Sequence, residues 1–100
     1  ALPEDIYNNT LCSADWSNIQ AVKDQDVNKI PLGMYRWYVT CSDSPMMLLW
    51  MAMQNHPELF EDIDFNETMK DFYSRFYDFT LTDEDIEQIL NPVREAAGGI

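Results

Sequence analysis

Basic residues are scarce in this chain: six lysines and arginines stand against eighteen aspartates and glutamates, for a formal net charge of −12. The six, Lys23, Lys29, Arg36, Lys70, Arg75 and Arg94, are scattered along the sequence. The cationic cluster that neutralises phosphate is therefore missing, which excludes DNA and RNA as partners. Histidine occurs once, and His56 alone builds neither a usual zinc site nor a nucleophile–base–orienter set. The two cysteines, Cys12 and Cys41, have no CxxC spacing, so a thiolate metal knuckle is excluded while one disulfide and two buried thiols both stay open. Long apolar runs are absent as well. The longest, Met46 to Met53, is eight residues, against about 20 for a bilayer span.

What is present is globular. A chain of 100 residues that is 46% apolar and 13% aromatic carries enough to bury, and its length suits a single domain over residues 1–100. The acidic side chains then decorate a folded body instead of marking disorder. The chain opens on Ala1 with no basic-then-apolar leader, and it reads as a piece of something longer.

The element pattern is mainly helical with a short β component. Pro3, Glu4 and Asp5 suit a first helical turn that fades by Asn8-Asn9. Asp15 or Ser17 is placed to cap a short helical piece through Val22, followed by a polar turn at 23–26. Val27 to Ile30 is the strand candidate, closed by Pro31, and Trp37 to Thr40 is a second extended stretch. Ser44-Pro45 starts a helix, serine as cap and proline at the first turn, which runs apolar nearly all round until His56-Pro57. Asp64 with Glu67 reads as a capping box ahead of an aromatic stripe of Phe65, Met69, Phe72, Tyr73 and Phe76. Thr82 with Asp85 opens the last helix, which Pro92 ends, and Glu95 to Ile100 reads as a loose tail.

Few residues carry chemistry. Asp62, Asp64 and Asn66 imitate the opening of a calcium loop, but Glu67 stands where that loop needs glycine and Tyr73 where it needs a bidentate carboxylate. Paired acids are too abundant to single out a general acid and base. The stretch that stands out is Tyr35-Arg36-Trp37-Tyr38. A guanidinium among aromatic faces can stack and clamp an anion together. The same residues also fit an ordinary strand with an arginine lying across apolar surface.

Read as an ordered pattern, the chain resembles a known family. Asp15-Trp16-Ser17-Asn18-Ile19-Gln20-Ala21-Val22-Lys23, Asp26-Val27, Ile30-Pro31, Tyr35-Arg36-Trp37, Ser44-Pro45, Leu48-Leu49-Trp50-Met51-Ala52, His56-Pro57-Glu58-Leu59-Phe60, Phe72-Tyr73 and Phe76-Tyr77 follow one another in that order. The succession is similar to the C-terminal end of the substrate-binding proteins of iron–siderophore, haem and cobalamin ABC importers, over residues 15–91. The resemblance implies a two-lobed, periplasmic-binding-protein-like α/β fold with a rigid interlobe helix, of which this chain is the distal part of the C-terminal lobe. It implies that Leu32 to Ser42 lines the cleft and that Tyr35, Arg36, Trp37 and Tyr38 face the ligand, a tyrosine of this loop approaching iron directly in some members. It further implies a non-enzymatic protein without a cofactor of its own, holding a ferric chelate, haem or cobalamin for a membrane permease. Its place would be outside the cytoplasm, in the periplasm or as a membrane-anchored lipoprotein. A helical protein-interaction domain, its aromatic loop packed on another chain, is the reading from a different class. If the chain is such a distal part, the apolar Met46 to Met53 helix is left uncovered, and self-association as a symmetric dimer is expected.

Overall fold

The computed structural model describes residues 2–97. Pro3 opens helix α1 (Pro3–Tyr7), where its missing N–H costs nothing, and the Asp5 carboxylate accepts the Leu2 N–H at 2.8 Å to complete the turn. The piece expected from Asp15 onward is shorter than its pattern suggested: α2 covers only Gln20–Lys23. Asp15 accounts for the difference, because its Oδ1 accepts the Ser17 N–H at 3.0 Å and the Ser17 hydroxyl, a side-chain turn that competes with helix. These hydrogen bonds from Ser17 also hold the Asp15 carboxyl below its ordinary pKa.

The strand expected at Val27 to Ile30 does not form. Val27 satisfies its backbone on a side chain instead, donating its N–H to the Tyr7 hydroxyl at 2.9 Å while its carbonyl accepts from the same hydroxyl at 3.3 Å. Extended backbone without a partner strand needs some such substitute. Trp37 to Thr40 is turn rather than strand, and among the described residues the β component comes down to one antiparallel bridge between Leu32 and Arg36. The fold is thus mainly helical with almost no strand.

Asp43 precedes α3 (Ser44–Asn55) as its N-cap, although no side-chain capping bond forms there. Ser44, expected as the cap, is the first helical residue, and its hydroxyl accepts the Cys41 N–H at 3.0 Å. The helix ends at His56, ahead of the 3₁₀ turn Pro57–Leu59. Its surface is as apolar as the sequence suggests: Met46 is buried while Leu48 is 69% exposed. Helix α4 (Phe65–Tyr77) is capped by Asp64, which accepts the Glu67 N–H at 3.2 Å; the Glu67 carboxylate lies 3.6 Å from Lys70 Nζ rather than returning to close the expected box. Asp78 ends the helix in the left-handed region, φ 52°. In α5 (Asp83–Leu90) the box is complete, with Thr82 and Asp85 exchanging bonds of 3.1 and 3.0 Å. Lys70 Nζ reaches Asp83 at 2.8 Å, joining α4 to the start of α5.

The described residues fall into two compact units. One holds α1, α2 and, after Val93, the 3₁₀ turn Arg94–Ala97, where a loose tail was expected; residues 98–100 of that tail lie outside the described residues. The other, Ile30–Pro92, contains α3, α4 and α5. Its core is Trp37, Met46, Met69, Tyr73, Leu81 and Ile86, with Phe65 and Phe72 packed against it. The aromatic stripe of α4 is therefore largely core, except for Phe76, which is exposed and stacks on Phe72 at 4.8 Å between ring centroids. No helix among the described residues is long and apolar enough to cross a membrane.

Candidate functional site

The loop between Pro31 and α3 is built around one carboxylate. Asp43 is fully buried. Its Oδ2 accepts the Met34 N–H, the Trp37 indole N–H and the Tyr73 hydroxyl, each at 2.8 Å, and its Oδ1 accepts the Tyr77 hydroxyl at 2.5 Å. The Tyr77 hydroxyl has a second neighbour, the Ser42 hydroxyl at 2.8 Å. A buried carboxylate needs this many donors to offset lost hydration, and four fill its acceptor sites. Gly33 belongs to the same cluster: a Cβ there would run into Asp43 Oδ2 and the Tyr73 hydroxyl.

This packing separates the four loop residues singled out in the sequence. Tyr35 and Tyr38 are 52% and 58% exposed. Arg36 lies between them, with Cζ 5.6 Å from the Tyr35 ring centroid and 5.9 Å from that of Tyr38, and its Nη1 donates to the Tyr38 hydroxyl at 2.8 Å. The Arg36 Nε–H is buried with no hydrogen-bond partner among the described residues. Trp37 takes the opposite side, 2% exposed, with its only polar atom bonded to Asp43. Trp37, expected to face the ligand, is thus placed in the core of this unit. The indole hydrogen bond to Asp43 and the surrounding core hold its ring inside.

Sequence reasoning missed Asp43, Gly33, Tyr73 and Tyr77 as members of one site. Asp43-Ser44-Pro45 reads as helix punctuation, Tyr73 reads as part of a core stripe, and Tyr77 enters only in the ordered pattern. The available signal was the four-residue spacing of two tyrosines on one helical face, each with a polar tip needing a partner if buried. Both cysteines are free, Cys12 exposed and Cys41 half-buried, so the reading of two buried thiols fails at Cys12. Among the described residues no group of three or more histidine, cysteine, aspartate or glutamate side chains is arranged to hold a metal ion.

Burial and the hydrogen bond to Asp43 raise the pKa of both Tyr73 and Tyr77 above the ordinary value of 10.0. Below that pH both hydroxyls keep their protons whether the chain is folded or not, and their contribution to stability is whole. Above it the unfolded chain releases protons that the folded chain retains, so stability falls as pH rises. Urea denaturation of the whole protein between pH 8 and 11 is expected to show this alkaline loss, from about pH 10 upward. The double variant Tyr73→Phe/Tyr77→Phe should flatten it, and an unchanged slope would contradict the assignment.

With this geometry established, comparison with known proteins defines a class. The chain folds as a segment of a periplasmic solute-binding protein does: it is similar to such a protein from Veillonella parvula DSM 2008, with a TM-score of 0.84 and 41% sequence identity over 90% of this chain and 27% of that one. A particular relative follows among curated proteins. The molybdate-binding protein MolA of Haemophilus influenzae is 31% identical over 74 residues, which are 73% of this chain and 21% of MolA. The chain thus spans well under two thirds of the proteins it matches. No family model matches it. Both relatives are named as binding proteins, neither as an enzyme.

Proposed function

We propose that this chain is the distal part of the C-terminal lobe of an extracytoplasmic solute-binding protein of an ABC importer, and that Tyr35, Arg36 and Tyr38 meet an anionic metal species bound for a membrane permease. The observation that carries the reading is the Arg36 guanidinium, held between two exposed tyrosine rings with one edge tied to Tyr38 and its Nε–H unpartnered. A fixed planar cation flanked by hydroxyls suits negatively charged oxygens on a metal. Iron–siderophore complexes, haem and other chelates present such oxygens beside flat surfaces that a tyrosine ring can cover. A compact oxyanion presents them alone, and the likeness to a molybdate-binding protein supports that form. Trp37, in this reading, shapes the loop from behind.

Calorimetric titration of the whole protein with sodium molybdate and with a ferric tris-catecholate tests the reading and separates the two ligand forms. Arg36→Ala is expected to weaken the probe that binds by about 1.5–3 kcal/mol, the range for a charge-assisted hydrogen bond. Its melting temperature should move little, since the polar and ring contacts the guanidinium makes are with its exposed neighbours Tyr35 and Tyr38. Unchanged affinity together with a lowered melting temperature would make Arg36 structural and favour the protein-interaction reading.

A further inference from the structure

We infer that Asp43 is the positioning residue of the ligand-facing loop, one carboxylate oxygen gripping the residue on either side of the Tyr35–Arg36 pair. The inference rests on the solute-binding reading of that pair. Met34, immediately before it, donates its backbone N–H to Oδ2, and Trp37, immediately after it, donates its indole N–H to the same atom, both at 2.8 Å. The grip is anchored on α4 by the Tyr73 and Tyr77 hydroxyls. It is anchored on α3 by the Asp43 carbonyl, which accepts the Met46 and Met47 N–H groups at 2.9 and 3.1 Å.

Two features set this apart from an ordinary buried acid. Asp43 occupies the N-cap position of α3, where its side chain would normally serve the helix, and it makes no capping bond. Gly33 gives up a side chain so that the loop can close over the same oxygen, since a Cβ there would stand 2.7 Å from the indole nitrogen as well as against the carboxylate. Both the cap and the glycine are thus given over to fixing residues 33–37. A loop fixed before ligand arrives loses less entropy on binding, which appears mainly as slower dissociation.

Trp37→Phe in the whole protein tests this, because it keeps an aromatic ring in the core while removing the N–H that Asp43 holds, together with part of the indole's buried volume. Thr82→Ala is the comparator, a lost helix cap away from the loop. Hydrogen exchange at the Met34 amide is read without ligand, and dissociation of sodium molybdate and of a ferric tris-catecholate is read separately. Trp37→Phe should speed Met34 exchange about tenfold and release the bound probe about tenfold faster, with Thr82→Ala changing neither. If Trp37→Phe is too unstable to measure, Asp43→Asn offers the rescue: its amide oxygen can take the place of Oδ2, so it should leave Met34 protected and dissociation within about threefold of wild type. Unaltered Met34 exchange in Trp37→Phe, or equal effects of Thr82→Ala, would overturn the positioning role. Should the wild type bind neither probe, the solute-binding reading fails, while Met34 exchange still decides whether Asp43 holds the loop.

Discussion

Asp43→Ala is expected to destabilise the protein by about 3–5 kcal/mol, the combined cost of the neutral buried donors it strands, less what relaxation recovers. The substitution leaves the Trp37 indole N–H and the Tyr73 hydroxyl, 2% and 3% exposed, without an acceptor, and frees the Met34 N–H. Each abandoned buried donor costs about 1–3 kcal/mol, and a water entering the vacated space offsets part of the sum. Because whole domains are stable by only about 5–15 kcal/mol, such a loss is a large fraction of the total. Asp43→Asn should cost much less, about 1–2 kcal/mol, since its oxygen can still serve Oδ2's donors. Urea denaturation of the three proteins at neutral pH checks the order; near-equal stability of Asp43→Ala and wild type would sink it.

The second large effect belongs to Gly33. A methyl group at this position meets an Asp43 oxygen and the Tyr73 hydroxyl and stands 2.7 Å from Trp37 Nε1. These are not the loose ends of surface side chains: hydrogen bonds to one another fix all three. Gly33→Ala must therefore push the loop off the core or break the cluster, at about 3 kcal/mol, the upper part of the usual range for overpacking. Close approach, rather than any special backbone angle, is what requires glycine here. The two substitutions share their atoms, so they should not add. With the carboxylate already removed, Gly33→Ala should cost at least about 1 kcal/mol less than in the wild type. A double-mutant cycle with full additivity would contradict the cluster.

The helices were legible in the sequence because their signals are local. Thr82 and Asp85 announce α5 within four residues, and Pro57 stops α3 where it stands. The aromatic stripe on α4 likewise marked Met69 and Tyr73 as core. The strand at Val27 was misread because its apolar pattern does not reveal whether a partner exists, and here Tyr7, twenty residues earlier, supplies the hydrogen bonds. The centre of the site was hidden for a related reason. Asp43 looks like punctuation before a proline, and only the fold brings Tyr73 and Tyr77 to it from 30 and 34 residues away. Of the four loop residues chosen from sequence, Tyr35 and Tyr38 are exposed, Arg36 lies half-buried between them, and Trp37 is in the core with its indole N–H on Asp43.

The loop's role is tested most directly by a crystal structure of the whole protein soaked with sodium molybdate and, separately, with a ferric tris-catecholate. The account predicts an anionic oxygen of one of them within about 3.2 Å of the Arg36 guanidinium or of a Tyr35 or Tyr38 hydroxyl, with Trp37 still bonded to Asp43 behind the loop. Ligand density elsewhere in the protein, with residues 35–38 packed against another protein surface, would contradict it.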